Sequence, residues 1–424
     1  MSLSERPEGK EREDGPQRSG PLSHVRVLDL TRIMAGPWSS QILADLGADV
    51  VKIERPETGD DTRWWGPPYL RAPDGEESRE SGYFLSVNRG KRSATADLST
   101  TEGQALVKAL AARADIVMEN FKAGDLARYG LGYEDLKAIN PRLIYCSITG
   151  FGQTGPMRDR PAYDLMIQAM GGLMSVTGEP DGSPGGGPQK VGVPIVDLMT
   201  GMYATVGILA ALARRAETGA GDYIDLAMLD VQVAFLANQA MNYLISGKPP
   251  VRTGNSHPNL QPQNVYPCRD GHLSLVAGNK GQFEKFCRVI GCEDMVDDPR
   301  FATNRARVDN VAELTARIGA ALSTRDMGYW IEALEAVGIP CAPINTVPQA
   351  LTHPQISHRG MVGPVAHPSG GDVTLLRSPL RFRENPLGPP RAPPLLGQHT
   401  QEVLEELGWT VQSSAGTVQS GAES

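Results

Sequence analysis

Cysteine is scarce in this chain, and its spacing forms no recognisable pair. Five cysteines occur in 424 residues, and no two of them stand in a Cys-x-x-Cys arrangement. An odd number without such pairs predicts neither a disulfide framework nor a zinc site. The sequence therefore predicts no metal site and favours a reducing compartment, the cytoplasm.

Apolar residues form no long unbroken run in the sequence, and the formal net charge is −8. A membrane-spanning helix needs about 20 apolar residues, so we expect no membrane partner. A general nucleic-acid binder needs a basic surface, so we expect no nucleic acid partner either. Residues 1–23 mix acids and bases without an apolar centre, which predicts a disordered tail and no targeting segment. The small polar residues of 410–424 predict a second disordered tail.

The signals of three common catalytic motifs are missing as well. The glycine fingerprint G-x-G-x-x-G is absent from the first strand-to-helix joint, and the phosphate-binding Walker motif and the hydrolase elbow G-x-S-x-G do not occur in the chain. Their absence argues against nicotinamide cofactors, phosphoryl transfer and serine hydrolysis. The first strand-to-helix joint has only Gly36 and Pro37 in its turn, with the acid Glu54 after the next strand, so a degenerate dehydrogenase stays an alternative.

From Val25 onward, strand-like and helix-like segments alternate, for example "VRVLDL", "PWSSQILADLG" and "ADVVKIE". This alternation predicts an α/β fold with parallel βαβ units. Clusters of Gly, Pro, Asn and Ser predict domain boundaries. The expected organisation is a large Rossmann-like parallel-sheet domain at 24–244, a smaller α+β domain at 245–346, and a return segment at 347–409 that completes the large domain.

Asp197 stands at a joint in "VGVPIVDLMTGMYATVGILAALARR". The apolar run from Val191 to Val196 predicts a short buried strand, and the pattern after it predicts a long helix. An aspartate at that place is a preferred helix cap, because its carboxylate accepts hydrogen bonds from free backbone N–H groups. From the residues alone, Asp197 is either a cap or a functional carboxylate.

Several cations follow predicted strands, where parallel sheets bind their ligands. Arg55 ends the second strand, "NRGKRS" carries three cations around a glycine, and "ENFKAGDLARYG" places Phe121 among cations that include Arg128. Separated cations suit a long ligand with phosphates, and adenine could stack on Phe121. Each cluster could equally be a solvated surface. His257 lies in the boundary loop "GNSHPNLQ" and could serve a site or be structural.

Ordered segments along the chain resemble the class III coenzyme A transferases, the family of formyl-CoA transferase and carnitine CoA-transferase. They include "VLDLTRIMAGPWSSQILADLGADVVKIERP", "GDDTR", "NRGKRS", "ENFKAG", "YDLMIQAMGG", "VDLMTGMYA" and "PLLGQHT". The similarity runs from about Val25 to the "PPLLGQHT" segment. "GDDTRWWGPPY" and "GNSHPN" look most like the relatives that move CoA between dicarboxylates such as succinate and glutarate.

The resemblance implies roles for particular residues, with Asp197 as the nucleophile. The implied CoA-binding residues are Met34, Ala35, Arg55, Val87, Asn88, Arg89, Gly90, Asn120, Phe121, Lys122, Arg128, Arg160, Tyr163 and Asp164. The implied substrate-binding residues are Gly254, Asn255, Ser256 and His257. Two positions depart from formyl-CoA transferase, which has a glutamine in place of Met34 and a glycine run in place of "GNSHPNLQPQ".

The same resemblance implies the reaction and the assembly. CoA would move from an acyl-CoA, with succinyl-CoA favoured, to a carboxylate acceptor through an aspartyl anhydride and an aspartyl-CoA thioester. No tightly bound cofactor is needed, and two copies of the chain would form an interlocked homodimer. The alternatives are an epimerase of the α-methylacyl-CoA racemase type and a non-catalytic acyl-CoA binder. The racemases carry a histidine where this chain has Tyr163, which is a poorer base near neutral pH.

Overall fold

The fold is taken from a computed structural model that describes residues 19–71, 74–369, 371–411 and 418–419. Its strands are β1 Arg26–Asp29, β2 Asp49–Glu54, β3 Tyr69–Arg71, β4 Glu77–Ser81, β5 Arg92–Thr95, β6 Ile116–Glu119, β7 Ile144–Thr149, β8 Asp222–Ala227, β9 Gln263–Cys268, β10 Gly271–Val276, β11 Cys341–Pro343, β12 Val362–Ala366, β13 Asp372–Leu376, β14 Thr410–Val411 and β15 Val418–Gln419.

The helices are α1 Ala35–Asp45, α2 Gly82–Val87, α3 Thr101–Ala111, α4 Tyr133–Ile139, α5 Asp164–Met170, α6 Leu173–Val176, α7 Ile195–Thr218, α8 Met228–Ala234, α9 Ala237–Ser246, α10 Lys280–Val289, α11 Asp294–Asp297, α12 Asn304–Asp309, α13 Val311–Leu322, α14 Met327–Glu335, α15 Val347–Leu351, α16 Pro354–His358 and α17 Thr400–Glu406. Two short 3-10 helices lie at Asp61–Trp64 and Ala127–Tyr129.

A six-stranded parallel sheet in the order β5-β2-β1-β6-β7-β8 forms the centre of the first unit. Both faces are covered, so consecutive residues of one strand enter different cores. Val27 joins the core with α1 and α7, whereas Leu28 joins the core with α3, α4 and α17. Strands buried on both faces read as nearly continuous apolar runs, which is why the sequence predicted this parallel sheet correctly.

The strand order reverses between β1 and β6. Chain progression runs outward from β1 to β2 and β5 on one side, and from β6 to β7 and β8 on the other. The loops that leave the carboxyl ends of β1 and β6 therefore diverge and open a crevice, the usual ligand site of open α/β sheets. Thr31–Met34 leave β1 at this edge, and Asn120 follows β6.

The chain divides into two compact units. The first contains the described parts of 1–167, 194–231 and 360–424, and the second contains 168–193 and 232–359. The second unit has a three-stranded antiparallel sheet, β11-β10-β9, with its own core of buried side chains such as Phe283, Phe286 and Trp330. Small antiparallel sheets thus accompany the large parallel one. The boundaries that the sequence suggested at 245 and 346 both fall inside the second unit, which also contains 168–193, 232–244 and 347–359.

One local prediction was wrong, and the two predicted tails lie mostly outside the described residues. Residues 191–194 form no strand, and α7 already begins at Ile195; Gly192 and Pro194 interrupt the apolar run, and a proline cannot donate to a sheet. Part of the first predicted tail is ordered, since Leu22 is buried and its N–H donates to Leu46 O. In the second predicted tail β14 pairs with β15. Residues 1–18, 412–417 and 420–424 lie outside the described residues.

Helix α7 is long, and it is more apolar than the sequence indicated for any segment. It has 24 residues and a window of mean hydropathy 1.7, so by length and composition it could cross a membrane. Ala204, Ile208 and Ala211 on one face pack in the core against α1 and the sheet. Such burial is typical of a core helix. The sequence did not indicate a long apolar run because Gly, Ala and Thr alternate with the larger apolar residues.

Candidate active site

The start of α7 is capped by a carboxylate from another segment. Pro194 precedes the helix and supplies no side-chain cap, while Asp197 is its third residue. Oδ1 of Asp164 accepts hydrogen bonds from the N–H of Val196 at 2.8 Å and of Asp197 at 3.3 Å. Of the two alternatives for Asp197, the structure does not support the helix cap, because Asp164 accepts these hydrogen bonds and leaves the Asp197 carboxyl available.

The surroundings of Asp197 favour its neutral form. Burial, and then the negative charge of Asp164, raise the pKa of Asp197 to about 7. The effect extends to Tyr83, whose pKa is raised by burial and by the charges of Asp197 and Asp164. Tyr83 therefore lies within electrostatic range of both carboxyl groups. An acid that titrates near neutral pH is unusual and is typical of functional sites.

The turn that leaves β1 is held by side chains from two neighbouring strands. Lys52 Nζ donates to Thr31 O at 2.6 Å. The Asn120 amide brackets Arg32, accepting from its N–H at 2.9 Å and donating to its carbonyl at 2.8 Å. Asp60 accepts from the N–H of Ile33 at 3.2 Å. The turn is therefore fixed at three successive residues before α1 begins.

Helix α1 starts close to the turn of α7 that carries Asp197. A Cβ built on Gly201 would lie 2.6 Å from Ala35 O. The backbone of α1 therefore lies directly against α7 at this position, and only glycine fits there. Asp197 precedes Gly201 by four residues and lies on the same helix face. Among the described hydrogen bonds, none uses the backbone N–H of Ala35 or Gly36. These donors point out of the first turn of α1.

The predicted CoA-binding residues near β5 are largely engaged within the chain. Arg89 is buried and forms an ion pair with Asp45, and its Nε donates at 2.9 Å. The Asn88 amide donates to Phe84 O, Gly90 N–H donates to Arg391 O, and Val87 is buried. Lys91 forms an ion pair with Asp29. Arg92 forms ion pairs with three acids, Asp49, Glu402 and Glu406. The cations of "NRGKRS" are thus buried in ion pairs within the chain, which favours neither a phosphate-binding loop nor a solvated surface.

The cations at the carboxyl edge are more accessible. Half of the Arg55 side chain is exposed, and its Nη2 is 2.6 Å from Asp61 Oδ1. Lys122 and Arg128 are exposed after β6, and Arg128 stacks over Tyr129 at 4.7 Å. Phe121 is half-buried and lies under the Arg32 guanidinium, with 5.2 Å between ring centre and Cζ.

The remaining predicted residues fall into two places. Arg160 and Tyr163 precede Asp164 on the same loop, and 56% of Tyr163 is exposed. Gly254 to His257 lie in the second unit. The 254 backbone has φ 60°, and Nδ1 of His257 accepts from Asn259 N–H at 3.1 Å. Neutral His257 therefore carries its proton on Nε2 and can donate there. Within the described residues no group of three His, Cys, Asp or Glu could hold a metal ion.

The family of this chain follows from its sequence match. The model of CoA-transferase family III matches residues 22–400, and the chain belongs to that family. This confirms the resemblance drawn from the sequence motifs, and with it the expectation of a CoA-transferase.

Individual relatives are similar over nearly their whole length. A succinate–glutarate CoA-transferase of Agrobacterium fabrum is 48% identical over 93% of this chain and 97% of its own. The human succinyl-CoA:glutarate CoA-transferase is 40% identical, over 91% and 86%. A succinyl-CoA:mesaconate CoA-transferase of Haloarcula hispanica is 40% identical, over 92% and 97%. The crystal structure of a CAIB/BAIF family protein from Brucella suis has 49% identity and TM-score 0.81, covering 92% of this chain and 100% of that one.

Proposed function

We propose that this protein transfers CoA from succinyl-CoA to a dicarboxylate such as glutarate. The observation that carries the proposal is the Asp197 carboxyl, which stands at the start of α7 with its pKa raised to about 7. Glutarate and succinate come from the names of two relatives, which are 48% and 40% identical to this chain. The assay below tests that choice against other acids.

The chemistry assigned to Asp197 is nucleophilic. Its carboxylate oxygen attacks the thioester carbonyl, the carbon–sulfur bond breaks, and the CoA thiolate leaves behind a mixed anhydride. The thiolate then attacks the aspartyl carbonyl, which releases succinate and forms an aspartyl-CoA thioester. The acceptor carboxylate repeats both steps in reverse. A raised pKa favours this role, since a less stabilised carboxylate is the better nucleophile once it is ionised.

The remaining residues are proposed to bind the two substrates. Arg55, Lys122 and Arg128 bind the phosphates of CoA, Phe121 stacks with adenine, and the first turn of α1 faces the acyl carbonyl. For the acceptor, the assigned hydrogen-bond donors to a carboxylate are Nε2 of His257, Asn255 and Ser256. Those donors support a preference for dicarboxylates, because a second carboxylate needs a hydrogen-bond donor and a monocarboxylate would leave these donors unused.

We further propose a cytoplasmic homodimer. Helix α7 exposes Met202, Tyr203, Val206 and Leu209 on the side away from the sheet. An apolar stripe of this size on a helix is typical of a surface that another protein covers. A second copy of the chain is the proposed partner, in the interlocked arrangement that the family resemblance implies.

A donor-by-acceptor matrix tests the function. Succinyl-, acetyl- and formyl-CoA are each incubated with glutarate, mesaconate, oxalate, malate and carnitine, and products are identified by mass. Glutaryl-CoA formed from succinyl-CoA is the expected product. Exchange of an α-proton for deuterium without a new thioester would instead identify an epimerase, and binding without either product a non-catalytic CoA binder.

The nucleophile is tested separately by trapping. With acyl-CoA and hydroxylamine, the Asp197 thioester should become a hydroxamate, visible as a mass increase on the peptide spanning "VGVPIVDLMTG". The Asp197→Asn variant treated in the same way is the control. A hydroxamate on another carboxylate would overturn the assignment.

A further inference from the structure

The turn between β1 and α1 has an uncommon backbone at Ile33. Its φ is 72°, in the left-handed region. For a β-branched residue this conformation is a genuine outlier, because Cβ crowds the neighbouring carbonyl. Such a backbone persists only where the surroundings hold it, and it is typical of functional turns.

What holds Ile33 is a buried ion pair that the proposed reaction does not use. Lys52 and Asp60 are both fully buried and lie 2.8 Å apart. Asp60 accepts from the N–H of Ile33, while Lys52 donates to Thr31 O on the other side of the turn. Burial alone would lower the pKa of Lys52, but Asp60 and the nearby acids raise it, so the pair stays charged.

The path of this turn determines where α1 begins. Met34 is the N-cap of α1 and is buried, and Ala35 is its first residue. The Ala35 carbonyl packs at Gly201, one helical turn from Asp197. A change of φ at Ile33 from positive to negative would redirect the chain directly before Met34. It would therefore shift the first turn of α1 relative to the carboxyl of Asp197.

We propose that Asp60, together with Lys52, is a positioning residue that keeps Ile33 left-handed and so aims the start of α1 at the acyl group on Asp197. The inference rests on the proposed function for its catalytic consequence. Neither Asp60 nor Lys52 needs to touch the substrate. We expect their effect on the chemical step more than on CoA binding, because Asp60 pairs with Lys52, whereas Arg55 pairs with Asp61 and Arg128 follows β6.

The test first removes the Asp60 carboxylate that accepts from the N–H of Ile33. A second substitution then removes the backbone strain at residue 33. Asp60→Ser keeps a side-chain oxygen that can cap the 3-10 helix after it, but it cannot reach Lys52 or Ile33. Ile33→Gly makes the left-handed backbone accessible without help. The matched control is Asp49→Ser, which removes an aspartate from the ion pair with Arg92 at the opposite end of β2.

We expect Asp60→Ser to lower kcat at least about tenfold, with less than about threefold change in KM for acyl-CoA. Adding Ile33→Gly should restore kcat to within about threefold of Ile33→Gly alone, and Asp49→Ser should keep kcat within about twofold of the wild type. A loss of kcat that glycine does not rescue, or one that Asp49→Ser reproduces, would overturn the proposal. If Asp60→Ser does not fold, Lys52→Met combined with Asp60→Ser replaces it, because the double variant removes the contact to Ile33 without leaving an unpaired buried charge.

A double-mutant cycle on the melting temperature tests whether Asp60 holds Ile33 even if the proposed function is wrong. If the wild type is inactive with every donor and acceptor, the transferase assignment is wrong. The effect of Asp60 on the Ile33 backbone can still be measured in the melting temperature. Ile33→Gly should then offset about half or more of the loss caused by Asp60→Ser. Additive losses would show that Asp60 does not hold Ile33.

Discussion

Replacing Asp197 with asparagine removes a charge and little else. The amide has the shape of the carboxyl, and the cap of α7 is supplied by Asp164. In the unfolded chain the carboxyl ionises at its ordinary pKa of 3.8, whereas in the folded protein burial and Asp164 raise its pKa to about 7. Folding therefore favours the protonated acid.

The sign of the effect on stability follows from the two pKa values. Below pH 3.8 the acid is neutral in both states, and as pH rises through about 7 the folded state must accept an unfavourable charge. Three pKa units correspond to an upper limit of about 4 kcal/mol, and partial solvent exposure reduces this to about 2 kcal/mol. Asp197→Asn should thus be more stable than the wild type at pH 8, with the difference vanishing near pH 4.

Urea unfolding of both proteins between pH 4 and 8.5 measures this difference, and succinyl-CoA:glutarate turnover is followed in parallel. Turnover should fall at least about a thousandfold, since an amide cannot form the anhydride. Asp230→Asn, in the first turn of α8, is the matched control and should change stability by less than about 0.5 kcal/mol. A variant that keeps its activity, or that is less stable than the wild type at pH 8, would refute the reasoning.

Further expectations concern binding and pH. Arg55→Ala and Arg128→Ala should each raise KM for succinyl-CoA about tenfold or more while leaving KM for glutarate within about twofold, and equal effects on both substrates would contradict phosphate binding. His257→Ala should raise KM for glutarate and leave the slow use of monocarboxylates unchanged, so a uniform loss would count against the assigned donor. The pH profile of kcat/KM should rise through about pH 7 as Asp197 ionises. Asp164→Asn, which keeps the cap oxygen but removes its charge, should move that rise to lower pH, and an unmoved profile would argue that Asp164 does not set the pKa.

The parallel sheet could be predicted because its signal is local. Runs such as "VRVLDL" carry apolar residues for both faces of the sheet, and helical segments with one apolar face separate them. The resemblance to the CoA-transferases was also correct, since it rests on many ordered segments. The strand proposed at 191–196 failed because the apolar content was weighed above Gly192 and Pro194.

The long-range features of the candidate site could not be predicted from sequence. Asp164 caps a helix that begins 31 positions later, and nothing in the composition of either segment indicates the contact. Tyr83 was missed because it stands in a short helix with no catalytic motif. Lys52 carried a usable signal, since a lysine inside the apolar strand "VVKIE" must meet an acid when buried, but the sequence does not say which of the neighbouring acids it meets.

The ion pair of Lys52 also makes the loop 55–63 and the parallel sheet unfold together. Its ammonium group is fully buried on β2 and forms its ion pair with Asp60, which arrives on the loop after that strand. A partly folded state with the sheet closed and the loop open would bury an unpaired charge, so it is sparsely populated. Local opening of 55–63 therefore requires the sheet to open as well. Amide protons of the loop should exchange by the same global event as those of β2, which makes this rim of the crevice part of the core and not a lid.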